Sequence, residues 1–267
     1  MQPEELENAR LETTPELEIE STPELLPARE PVAETAPERV PFWGYTDLAL
    51  VIGLLFAATL VIGLIAGGLM LSIPRLRADQ TPLLVPMNLA LYGALYLAIR
   101  LDFTLRHNKP VLGSLGWQRS GINLVAMGIG GVVLAIALSV LASVLHTPKI
   151  PTPFDKLTST PLQFVLFGVM AVAIAPLFEE LFFRGFIQPL LSRTFGTIAG
   201  ILVTALLFGS LHLFEYAYAW QYAVFISLAG AVFGWLRVRT NSIIPSTVMH
   251  GCFNAVSVIA LAFGKNI

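Results

Sequence analysis

The carboxylates of this chain are confined to one end. Of 18 acidic residues in 267, 12 lie between Glu4 and Asp47. The 220 residues that follow hold six: Asp79, Asp102, Asp155, Glu179, Glu180 and Glu215. A water-facing surface of that length needs far more charge, since soluble domains carry about a quarter charged residues. Here 13% are charged and 55% hydrophobic. The body of the chain must therefore be solvated by lipid. The net charge of −2 averages an acidic tail with a slightly basic body, and no nucleic-acid partner is expected. One cysteine, Cys252, excludes an internal disulfide framework and any Cys-based zinc cluster. Glu and Pro stand where the apolar stretch of a cleavable signal would be, so insertion is expected to rely on the first spanning helix.

Residues 1–41 contain seven prolines and eleven glutamates. Such a segment cannot bury enough apolar area to offset its conformational entropy, so a disordered tail is expected. Phe42, Trp43 and Tyr45 follow as an interfacial aromatic belt. Crossing the hydrocarbon core takes about 20 apolar residues. Seven stretches qualify: 47–73, 83–101, 122–145, 162–191, 197–215, 219–237 and 243–263. The expected fold is all-α, a polytopic transmembrane helix bundle of about seven spans. The second stretch is short, and Pro176 should kink the long fourth one. The chain then divides into the tail (1–41), N-terminal transmembrane helices (42–110) and a C-terminal helical domain (111–267). Loops on the N-terminal side carry the larger share of Arg and Lys, which predicts a multi-pass protein with a cytoplasmic N-terminus.

Charge at the centre of a spanning helix is unfavourable by about 2.5–3.5 kcal/mol per residue on insertion scales. The fourth stretch nevertheless holds Glu179, Glu180 and Arg184. Glu180 and Arg184 are four apart, the spacing and order of a helical ion pair. Glu179 is turned about 100° away, which leaves it free to act as a general base. A wet helix end would serve these three charges equally well. The fifth stretch adds His212, and the seventh adds His250 and Asn254 on one face. A lone buried His is more often structural than catalytic. Their joint occurrence is more telling, because polar groups in lipid must satisfy one another. One shared, buried cluster facing the bundle interior is expected.

Glu179-Glu180-x-x-x-Arg184, Phe208-x-x-x-His212 and His250-x-x-x-Asn254, in that order on successive apolar helices, resemble the three motifs of the CPBP family, the CAAX proteases and bacteriocin-processing enzymes. Leu115-Gly116-Trp117 resembles the family's Leu-Gly-x segment. The resemblance covers roughly residues 110–260 and marks 111–267 as the intramembrane protease domain. It implies that Glu179 activates water with help from His212, and that His250 and Asn254 stabilise the oxyanion. Glu180 and Arg184 would hold the helix and its charge balance. Family prenyl endopeptidases have eight spans, one more than the seven counted here. Glu179, His212 and His250 could also supply a His₂Glu zinc site. The sequence lacks His-Glu-x-x-His, and a metal-free site is slightly favoured over a zinc-loaded one.

The leading functional expectation is an intramembrane endopeptidase cleaving a peptide or lipid-modified protein held at the membrane lipid. Two other classes stay open. One is a non-catalytic immunity or binding protein of the same family. The other is a proton-coupled transporter, although no internal repeat of the kind transporters show is visible.

Overall fold

The computed structural model describes residues 40–148, 150 and 160–264, and among them are helices and their connections but no strand. The Pro/Glu-rich tail and three lysines weighed for orientation (Lys149, Lys156, Lys265) lie outside them. In chain order the helices are α1 (Tyr45–Ser72), α2 (Pro74–Ala78), α3 (Thr81–His107), α4 (Val111–Ser114) and α5 (Leu124–Val144). They continue with α6 (Pro161–Phe195), α7 (Thr197–Leu211), α8 (Trp220–Thr240) and α9 (Ile244–Gly264). Six of these, α1, α3, α5, α6, α8 and α9, are long and apolar enough to cross a membrane. The chain is thus an integral, multi-pass helical membrane protein.

Two of the seven expected spans depart from their sequence bounds in ways that shape the site. The second, expected over 83–101, runs from Thr81 to His107. Its polar end stays helical because Asp102, Arg106 and His107 bond inward to one another and to Asp47. The helix then stops at Asn108, whose left-handed backbone (φ 50°) caps it. The fifth, expected over 197–215, is the 15-residue α7. At 1.5 Å per residue it reaches about 22 Å, short of a hydrocarbon core about 30 Å thick. The tight turn at Gly196 (φ 86°) folds α7 back along α6. Counted from that turn, Glu179 lies about 25 Å back along α6 and His212 about 24 Å along the returning chain. The short helix brings the second motif to the depth of the first.

Proline decides the form of α6. Pro176 cannot donate a hydrogen bond into the preceding turn. The helix absorbs the lost donor in a π-helical segment, Met170–Ile174, just before it. A second π segment, Leu181–Ile187, follows the two glutamates. In place of a simple kink, the sequence Ala175–Glu180 is a short α-helical piece between two wide turns.

The helices pair α1 with α3, α5 with α9 and α7 with α8, and α9 crosses the middle of α6. Lipid supplies no hydrophobic drive between helices, so close packing at small residues matters. A Cβ on Gly131 would overlap the Met249 carbonyl oxygen, and one on Gly209 would overlap that of Ala223. Outside these seams the helices show lipid-facing surface. Of the 28 residues in α1 only Asp47, Val51 and Ala66 are buried.

Candidate active site

The polar core is built around the α-helical piece of α6. Glu180 and Arg184 are both fully enclosed, and Arg184 Nη1 lies 2.9 Å from Glu180 Oε1. One carbonyl and one aromatic ring complete the arginine's surroundings. Its Nη2 donates to the Gly230 carbonyl at 2.9 Å, and its guanidinium carbon stands 4.5 Å from the Phe208 ring centre. Gly230 is needed there, since a Cβ would sit 2.9 Å from Arg184 Nη2. His250 on α9 approaches the same carboxylate from the other side, with Nδ1 3.2 Å from Glu180 Oε1. An ionised carboxylate only accepts, so Nδ1 carries the hydrogen and Nε2 faces outward.

That Nε2 is 3.7 Å from Glu179 Oε2. Glu179 is not left free, as the sequence alone suggests. Its other oxygen, Oε1, accepts a hydrogen bond from the Tyr92 hydroxyl at 3.0 Å. Tyr92 stands on α3 and stacks on Phe178, with centroids 5.3 Å apart and planes 11° from parallel. Glu179 keeps 18% of its side chain exposed, whereas Glu180 keeps none. Adjacent glutamates therefore meet opposite fates: one is enclosed in an ion pair, the other stays partly exposed beside Tyr92 and His250.

His212 is the residue that ends α7. Its Nδ1 is 2.8 Å from the Phe208 carbonyl, which fixes the hydrogen on Nδ1 and leaves Nε2 as an acceptor. The Phe208 ring lies between the two imidazoles, 4.8 Å from His212 and 5.6 Å from His250 by centroids. Phe233 stacks on the other face of His250 at 4.8 Å. Asn254 points to a different task in this arrangement. Its Nδ2 donates to the Ala171 carbonyl at 2.8 Å, inside the π segment that precedes Pro176. Carbonyls left over by the proline need a donor, and Asn254 supplies one. The neighbouring Gly251 lets the Val172 carbonyl come within 2.5 Å of where a Cβ would stand.

The geometry thus links Glu179, Glu180, Arg184 and His250 directly. It brings His212 alongside through Phe208 and ties Asn254 to the backbone of α6. Among the described residues, the only three His, Cys, Asp or Glu side chains whose donor atoms all lie within 4.8 Å of one another are Asp47, Asp102 and His107; Glu179, His212 and His250 do not form such a group.

Residues 161–256 match the family model described as type II CAAX prenyl endopeptidase Rce1-like. Over this stretch the chain is similar to the Rce1-like family. The family is a protease family, consistent with the CPBP resemblance of the motifs. No curated protein and no solved structure matches the chain. The matched stretch contains all six candidate residues, from Glu179 to Asn254. Two further groups at the site escape the motifs. Tyr92 lies outside the matched stretch, on α3, although the four-residue spacing of Tyr92, Tyr96 and Arg100 marks one helix face. Glu215, in the turn after α7, sits within electrostatic reach of both His212 and Glu179. It is one of only six carboxylates in the body of the chain, and that scarcity was its signal. The Leu115-Gly116-Trp117 segment serves the matched stretch from outside it. Leu115 is fully buried against Gly185, and the Gly116 carbonyl accepts from the Ile243 N–H at 3.0 Å.

Proposed function

We propose that the chain is an intramembrane endopeptidase that hydrolyses a peptide bond of a membrane-associated, CAAX-type substrate, with Glu179 as the base. The observation that carries this reading is the Glu179 carboxylate. One oxygen is held by Tyr92 at 3.0 Å and the other is turned toward His250 across 3.7 Å. A base fixed at one oxygen has a single orientation for the other, as proton abstraction from a water requires.

Glu179 Oε2 removes a proton from water as the oxygen attacks the scissile carbonyl carbon. The tetrahedral oxyanion forms beside His250, whose Nε2 is its nearest candidate donor when protonated. The C–N bond then breaks as the amine leaves with the proton carried by Glu179. His212 offers its Nε2 lone pair to the same water. Glu180 and Arg184 do no proton transfer; they fix His250 through Nδ1. Asn254 supports the reaction by holding the wide turn of α6 in place. No metal takes part in this scheme, and a chelator is expected to leave turnover unchanged. The start of α1, tied through Asp47 to Arg106 on α3 and through Pro41 to Arg193 on α6, lies on the cytoplasmic side.

The test is cleavage of a prenylated CAAX peptide by the purified protein in lipid vesicles, beside its Glu179→Gln variant. Loss of cleavage with unchanged folding supports the assignment. Full turnover by the variant ends it.

A further inference from the structure

Two arginines on α3, six residues apart, are treated very differently. Arg106 turns inward and pairs with Asp47 at 2.8 Å and Asp102 at 3.1 Å. Arg100 turns into a cavity of about 560 Å³ at the end of the helix, which it shares with Tyr96, Thr104, Asn108, Lys109 and Leu112. Among the described residues, neither the Arg100 nor the Lys109 side chain has a hydrogen bond or ion pair, and no carboxylate lines the cavity. Tyr96, Arg100, Thr104 and Asn108 recur every four residues, so one whole face of the last three turns is turned to this space. Two exposed cations line one cavity with no carboxylate to neutralise them.

The depth and the rim say what would. Arg100 stands about 10 Å from the end of a spanning helix, where lipid headgroups lie. Leu112 in the lining is exposed, and so are Leu97, Leu101 and Leu105, each one position on from Tyr96, Arg100 and Thr104 along α3. A small soluble anion would leave those leucines without a partner. A ligand that carries phosphate on top of acyl chains satisfies both halves. We infer that this cavity is a binding site for the phosphate headgroup of an anionic phospholipid, held by Arg100 and Lys109 with Thr104 and Asn108 as neutral donors. The site stands apart from the proposed hydrolysis, and the two connect along α3. Tyr96 contacts Phe178 edge-on at 6.5 Å, and Tyr92 holds Glu179 one turn further on.

The experiment uses full-length protein in phosphatidylcholine vesicles with and without phosphatidylglycerol, extracted gently and weighed by native mass spectrometry. The wild type should retain phosphatidylglycerol, and the Arg100→Gln/Lys109→Gln double variant should lose it on the order of tenfold. Arg119→Gln, an exposed cation elsewhere, should retain it, as should the catalytically silent Glu179→Gln. Lipid retention needs no turnover, so it reads independently of the protease assignment. Equal retention by the double variant and wild type overturns the site. Displacement of the lipid by inorganic phosphate at the same concentration also overturns it, in favour of a soluble anion. So would a double variant that keeps its lipid but shows a raised KM for a peptide substrate, which would make the cavity a peptide subsite.

Discussion

The bundle contains two clusters of the same composition, each with two carboxylates, an arginine and a histidine. At the ends of α1 and α3, Asp47 is claimed on both oxygens: Oδ1 by Arg106 and His107, Oδ2 by the Gly44 N–H at 2.6 Å. Arg106 itself is 40% exposed. In the middle of α6, Arg184 is wholly enclosed, Glu180 takes up its charge, and Glu179 keeps one oxygen turned toward the His250 imidazole. The first cluster ties two helix ends together where water is close. The second places an uncommitted oxygen deep in the bundle. What separates a brace from a candidate active site is the depth of the arginine and the oxygen left over, and residue type alone does not reveal either.

Substitutions can break this contrast at several strengths. The largest effect is expected from Glu179→Gln, which should lower kcat by about a thousandfold or more while thermal unfolding in detergent is unchanged. Arg184→Ala should destabilise the protein by about 3–5 kcal/mol, because it strands Glu180 without a partner in a closed space. It would be read as a fall in unfolding temperature or as lost expression. Tyr92→Phe leaves the stack on Phe178 but frees Glu179, and kcat should drop about ten- to hundredfold with KM little changed. A drop in both stability and KM would make the hydroxyl structural. The smallest effect belongs to the other cluster. Arg106→Gln should weaken the fold by about 1 kcal/mol or less, since the pair is partly solvated, and leave cleavage rates intact. If Arg106→Gln inactivated the enzyme as Glu179→Gln does, the distinction drawn between the clusters would fail.

The family's ordered motifs were readable because their spacing is local. Glu180 with Arg184 and Phe208 with His212 are four apart on a helix, and each pair meets along its own face. The same local reading could not see across helices. It assigned Glu179 no partner, yet Tyr92 comes from a helix 87 positions earlier. Nor could it see that the Asn254 amide, expected from the resemblance to help hold the oxyanion, also donates to the Ala171 carbonyl ahead of Pro176. His107 carried no expectation in the sequence, but α1 brings Asp47 beside it.

The sequence by itself determined that lipid surrounds this chain, because six carboxylates cannot keep 220 residues in water. It also determined which residues are too polar to face lipid and must meet inside. Only the tertiary structure decided which oxygen is spent and which is left open. That depends on how far α7 rises before it ends, on the wide turns around Pro176, and on which face α3 presents to α6. Each is a matter of packing between distant segments, and helical spacing constrains none of them.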